Sequence, residues 1–176
     1  GPEFDSLRVT TSEDLSLQIL EAPTSLSPGT PNFAVFEVIN NGNGATQAIL
    51  EPVNFPDTWT WWITIDDEVH TGPLELSVSY DLSHNRTVEF WFETPASEAA
   101  GELHTIQLEV KTFVPGEDIN PDDNFVEFYA TTKSVRSPSI VLLPHQNSVM
   151  SGGLFTITAH VENQGNAIEN RLRLKA

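Results

Sequence analysis

The chain has no cysteine, so neither a disulfide framework nor a thiolate metal site is possible. It is also poor in positive charge: eight basic residues stand against 25 acidic ones, and only three of the eight are lysines, Lys111, Lys133 and Lys175. The formal charge of −17 repels nucleic acid and anionic membranes, which excludes both as expected partners. No apolar run approaches the roughly 20 residues that span a bilayer. No stretch carries convincing helical periodicity either, which leaves extended structure as the way to bury apolar side chains.

What the chain does have is an internal repeat. Ser27-Pro28-Gly29 leads into Asn32 to Ile39 and then Asn40-Asn41-Gly42-Asn43; Met150-Ser151-Gly152 leads into Phe155 to Glu162 and then Asn163-Gln164-Gly165-Asn166. Val161 and Val38, Asn163 and Asn40, Gly165 and Gly42, and Asn166 and Asn43 are each 123 positions apart. A period of this size is that of a whole domain, and within 176 residues the second copy is incomplete. The division expected is a cloning scar at 1–4, a complete domain at 5–133, a linker at 134–137 and the first part of a second repeat at 138–176. A leader and an anchor are expected to lie outside this sequence.

Period-two alternation marks the strands. Leu15, Leu17 and Ile19 share one face; Ala34, Phe36 and Val38 oppose Phe33, Val35 and Ile39; Trp59, Trp61, Ile63 and Ile65 oppose Trp62. Leu74, Leu76, Val78 and Tyr80 form another face, and Val88, Phe90 and Phe92 point inward opposite Glu89, Trp91 and Glu93. Leu103 to Val114 and Phe125 to Thr132 read as a hairpin. Seven or eight short strands with frequent turn signals predict an all-β fold, an immunoglobulin-like antiparallel sandwich followed by the first strands of a second one. Because both faces of Asn32 to Ile39 are apolar, its outer face is expected to be covered.

Three groups of side chains bear chemistry. Glu117, Asp118, Asn120, Asp122 and Asp123, followed by Asn124, put six oxygen-bearing side chains into eight residues, a composition that suits calcium and equally suits a solvated turn. Trp62 and Trp91 point away from the predicted core and could stack on sugar rings. Their strands are expected in opposite sheets, which would set the indoles on opposite outer faces. Asn85-Arg86-Thr87 is an N-glycosylation sequon with Asn85 as acceptor. The five histidines, His70, His84, His104, His145 and His160, share no ligand spacing of the i, i+2 or i, i+4 type. No nucleophile or carboxylate pair converges on any of them in the sequence, so no enzymatic activity is expected.

Pro28-Gly29, Phe36-Glu37-Val38-Ile39-Asn40-Asn41-Gly42, Pro56, Trp59, Pro95, Ala100-Gly101 and Asp122-Asp123-Asn124 resemble the immunoglobulin-like repeat domains of prokaryotic surface and secreted proteins. These are the cell-adhesion-related CARDB domains and the NEW3 domains attached to glycosidases. The resemblance implies a non-enzymatic, extracellular or cell-surface, structural or adhesive module of a larger protein. The alternative it leaves is a calcium- or carbohydrate-binding accessory module of a secreted hydrolase. No cofactor is expected apart from possible calcium. The expected partners are neighbouring repeats, another protein chain, or a second copy of this one joined through the incomplete second repeat. That repeat could also dock on the outer face of the first domain.

Overall fold

The computed structural model describes residues 10–80, 85–114, 118–145 and 148–173. The strands are β1 (Leu15–Glu21), β2 (Ser25–Leu26), β3 (Pro31–Asn40), β4 (Thr46–Val53), β5 (Thr60–Ile65), β6 (Glu68–His70), β7 (Leu74–Val78), β8 (Arg86–Glu93), β9 (Leu103–Thr112), β10 (Phe125–Thr132), β11 (Pro138–Pro144) and β12 (Ile157–Asn163). One sheet has the order β1-β3-β8-β5-β6 and the other β2-β10-β9-β4-β7. Every neighbouring pair described is antiparallel except β2 with β10, which run parallel. This is the two-sheet sandwich that the alternating pattern predicts. Two short strands, β2 and β6, carry too few residues for that pattern to reveal.

The alternation decides which side chains meet between the sheets. Leu15, Phe36, Val38, Ile63, Val88, Phe90 and Phe92 from one sheet face Leu50, Val78, Ile106, Leu108 and Val110 from the other, all of them at most 1 % exposed. Full burial of each such side chain stabilises by about 1.5–3 kcal/mol. Phe55, Trp59, Phe90 and Phe92 form an aromatic cluster with centroids 5.5–6.2 Å apart, mixing edge-on and stacked contacts that suit the ring quadrupole. Tyr80 departs from its expected inward position. β7 ends at Val78, the alternation lapses with it, and Tyr80 is 57 % exposed.

β11 and β12 pair only with each other. Ile140, Val141, Leu142, Leu143, Ile157 and Val161 are all more than two-fifths exposed, so this ribbon does not dock on the outer face of the first domain. The outer side of β3 is instead half-buried within its own sheet, where Phe33 stacks on Trp91 with centroids 4.8 Å apart. Residues 164–173 form no strand. Their counterpart β4 is held by β7 and β9, and among the described residues segment 164–173 has no such neighbours.

Candidate functional site

The repeated asparagine motif builds the same clasp twice. Asn40 is 1 % exposed; its Nδ2 donates to the carbonyls of Gly44 (2.8 Å) and Val78 (3.1 Å), while its Oδ1 accepts from the Gly42 amide (2.9 Å). Asn43 then reaches back to the incoming chain, its Oδ1 accepting from Ser12 N (2.8 Å) and its Nδ2 donating to Thr10 O (3.0 Å). In the second copy Asn163 Nδ2 donates to Ala167 O and its Oδ1 accepts from Gly165 N. Asn166 holds Val135 N (2.7 Å) and Lys133 O (2.8 Å).

Apart from the Asn40 bond to Val78, each contact lies 123 positions from its counterpart, so Lys133 and the linker after it are gripped as residues 10–14 are gripped. Glycine is required at the bend because backbone passes against it: a Cβ on Gly42 would lie 2.3 Å from Ser12 O, and one on Gly165 would lie 2.1 Å from Val135 O. Asn166 Nδ2 also donates to Glu98 O at 2.9 Å, and thereby ties the second copy to the first domain.

The acidic segment folds as a staple on the entrance of β1. Asp118 Oδ2 accepts from Leu15 N and from Asn124 Nδ2, both at 3.0 Å, and Asp118 Oδ1 accepts from Asn120 N at 2.9 Å. Asn120 Nδ2 donates to Asp123 Oδ2 at 2.8 Å, and Ile119 N donates to Glu13 O at 3.0 Å. Asp122 is exposed on the 3-10 turn Pro121–Asp123; Glu117 lies outside the described residues.

Asp14 joins this group although its distance in sequence hides it. Burial first, and then the carboxylates of Asp123 and Asp118, hold its pKa above the usual carboxylate range. Asp14 Oδ1, Asp123 Oδ1 and Asn124 Oδ1 are buried with no hydrogen-bond donor. A carboxylate whose pKa is raised by folding binds its proton more tightly in the native state, so stability is lost as pH rises through the raised value. We expect Asp14→Asn to raise the melting temperature at pH 7 and to lose that advantage in a scan at a pH low enough to protonate Asp14 in the parent.

The two outward tryptophans stand together, contrary to the expectation that they occupy opposite sheets. β5 and β8 are neighbours in one sheet with Trp62 directly across from Trp91, and Phe33 of β3 lies across from Trp91 on the other side. The indoles are 6.1 Å apart and 6° from parallel. Which strands are neighbours is a property of topology that the alternation within a single strand cannot carry. The result is an aromatic row over three strands, half-buried at Trp62 and Trp91 and 37 % exposed at Phe33.

Along β8 the aromatic row is flanked by Glu93 and Glu89, and Glu89 Oε2 accepts from Trp91 Nε1 at 2.9 Å. Glu89, Thr64, Thr87, Asp66 and Asp67 line a shallow hollow of about 200 Å³ beside it. Asp66 and Asp67, both at positive φ, make the tight turn between β5 and β6, and Arg86 pairs with Asp66 at 2.6 Å. Asn85 stands half-buried immediately before β8.

A convergence of glutamates on one histidine lies outside any histidine-to-histidine spacing. Glu98, Glu102 and His104 bring one ligand atom each to within 4.8 Å of one another. Reading glutamates together with His104, as E-x3-E-x-H, is the signal that would have found it.

No family model matches the chain, and no curated protein matches it. Among solved structures it is similar to the CARDB domain of the PF1109 protein from Pyrococcus furiosus, a domain crystallised in complex with di-metal ions. That match has 14 % identity and a TM-score of 0.47, covering 74 % of this chain and 99 % of that one. It is also similar to a conjugative transposon lipoprotein from Bacteroides eggerthii, with 13 % identity and a TM-score of 0.41, covering 66 % and 95 %. A third is BcpA, the major pilin subunit of Bacillus cereus, with 9 % identity and a TM-score of 0.38, covering 90 % and 56 %. The chain's own strand pairing, independent of these likenesses, makes it an all-β, two-sheet sandwich.

Proposed function

We propose that the chain is a non-enzymatic structural module that fixes the spacing and orientation of successive sandwich domains in a surface or secreted protein. The observation that carries this reading is the hydrogen-bonded joint. The segment between β10 and β11 is gripped by Asn166 at Val135 and Lys133, by Gln164 N on Ser137 O (2.9 Å) and by Ala167 N on Val135 O (3.4 Å). Lys133 N donates to Leu26 O (2.8 Å), anchoring the joint's near end in the first sandwich. A linker so bonded transmits orientation, whereas a free one of equal length would only tether.

The absence of cysteine makes the test direct. Spin labels on Gln18→Cys and His160→Cys, both at exposed positions, are expected to give a narrow distance distribution; a distribution as broad as that of a flexible tether would overturn the reading. An acidic surface and little lysine support an extracellular setting. No helix among the described residues is long and apolar enough to cross a membrane. The exposed β11–β12 ribbon supports contact with a neighbouring repeat or another chain.

A second reading, a glycan-binding accessory role, is favoured by the aromatic row flanked by Glu89, Glu93, Thr60 and Thr64. The exposed ring surface at the ends and edges of the row can meet sugar C–H groups and the flanking oxygens accept from hydroxyls, while the carboxylates disfavour anionic sugars. Titrating neutral oligosaccharides is expected to quench tryptophan fluorescence in the parent and not in Trp91→Ala. Unchanged fluorescence across neutral glucans, xylans and chitin oligomers would eliminate it.

A further inference from the structure

We propose that Glu98, Glu102 and His104 form a site for a divalent transition-metal ion of the zinc class. It does not depend on the spacer reading. The three ligand atoms already lie within 4.8 Å of one another, and the side chains of Glu98 and His104 are only 17 % and 12 % exposed, so two of the three ligands are largely withdrawn from water.

Their orientation is held from behind. Trp59 Nε1 donates to Glu98 Oε2 at 3.2 Å, and the His104 ring lies edge-on against Trp59 with centroids 4.8 Å apart. Thr132 Oγ1 is 2.8 Å from His104 Nε2, a hydrogen bond that an ion at this ring nitrogen would replace. The backbone is fixed as well: Gly101 N donates to Thr132 O at 2.8 Å and Thr132 N to Glu102 O at 2.9 Å. Gly101, at φ +82°, turns the chain so that Glu98 and Glu102 approach His104.

The chemistry selects the ion. Two carboxylates and an imidazole converge where, among the described residues, no lysine or arginine forms an ion pair with either glutamate. Imidazole nitrogen suits zinc, cobalt and nickel, whereas calcium and magnesium prefer all-oxygen surroundings. Three protein ligands leave a further position for water, the arrangement of open zinc sites. The Trp59 N–H acts as the outer partner that orients a ligating carboxylate.

The test is calorimetric titration of the chelator-treated 176-residue chain with zinc chloride, followed by cobalt chloride with its visible absorption as a second readout. We expect saturable binding of one ion, a melting temperature that rises with zinc, and no equivalent response to calcium or magnesium. Glu102→Gln, at an exposed position, and His104→Gln are each expected to weaken zinc binding by at least about tenfold, and Trp59→Phe by about 10–100-fold. The metal-free melting curve of Glu102→Gln reports that the fold is intact. Absent zinc binding, binding unchanged in both ligand variants, or an equal response to calcium would each overturn the proposal.

Discussion

Substituting Gly165 by alanine is expected to free the second repeat from the first. A Cβ at this position would lie 2.1 Å from Val135 O and 2.9 Å from Ser137 N, and both are main-chain atoms that no side-chain rotation can move aside. The turn must shift, and with it go the bonds of Asn166 to Val135, Lys133 and Glu98. Spin-label distances between Gln18 and His160 should change from one narrow peak to a broad band, while the melting transition of the first sandwich stays put. The matched change Gly42→Ala makes the same clash within the first domain, 2.3 Å from Ser12 O. It should leave the joint distance narrow and lower the melting temperature instead, because the turn there is built around the buried Asn40. A pair of variants with opposite readouts separates loss of the joint from general damage.

Removing Phe92 should have the largest effect on stability. Its ring is fully buried and touches Trp59, Phe55, Phe90 and Phe128 at centroid distances of 5.5–6.3 Å. It therefore links the aromatic cluster to Phe128 on the facing sheet. Phe92→Ala is expected to destabilise the sandwich by about 3–5 kcal/mol, the sum of lost transfer energy and a cavity that the surrounding strands cannot close. Urea unfolding with an unchanged m-value would check it. Because Trp59 stacks on Phe92 and also orients Glu98, the same variant should weaken zinc binding, coupling the core to the proposed metal site.

The strands were legible in the sequence because burial in a sandwich imposes a period of two. Val88-Glu89-Phe90-Trp91-Phe92 could be sorted into faces without any structure. The repeat at Asn40 and Asn163 was legible because a turn that needs glycine and asparagine leaves a sharp signature. What could not be read was every relation between strands. Trp62 and Trp91 are 29 positions apart, and nothing in either segment says that β5 lies beside β8. Glu98, Glu102 and His104 escaped for a related reason: the turn at Gly101, not a ligand spacing, brings them together. The acidic segment was legible as a cluster, but Asp14, which completes it, comes from the opposite end of the domain.

The parallel pairing of β2 with β10 has a mechanical consequence. Ser25 and Leu26 lie alongside Thr131 and Thr132, fastened further by Thr131 N to Thr24 O and Lys133 N to Leu26 O. Tension entering at residue 10 and leaving at residue 133 pulls these two segments along their length in opposite directions. The bonds between them are therefore loaded together in shear and do not unzip one at a time. A module stretched within a longer chain would resist extension at the place where β2 and β10 meet.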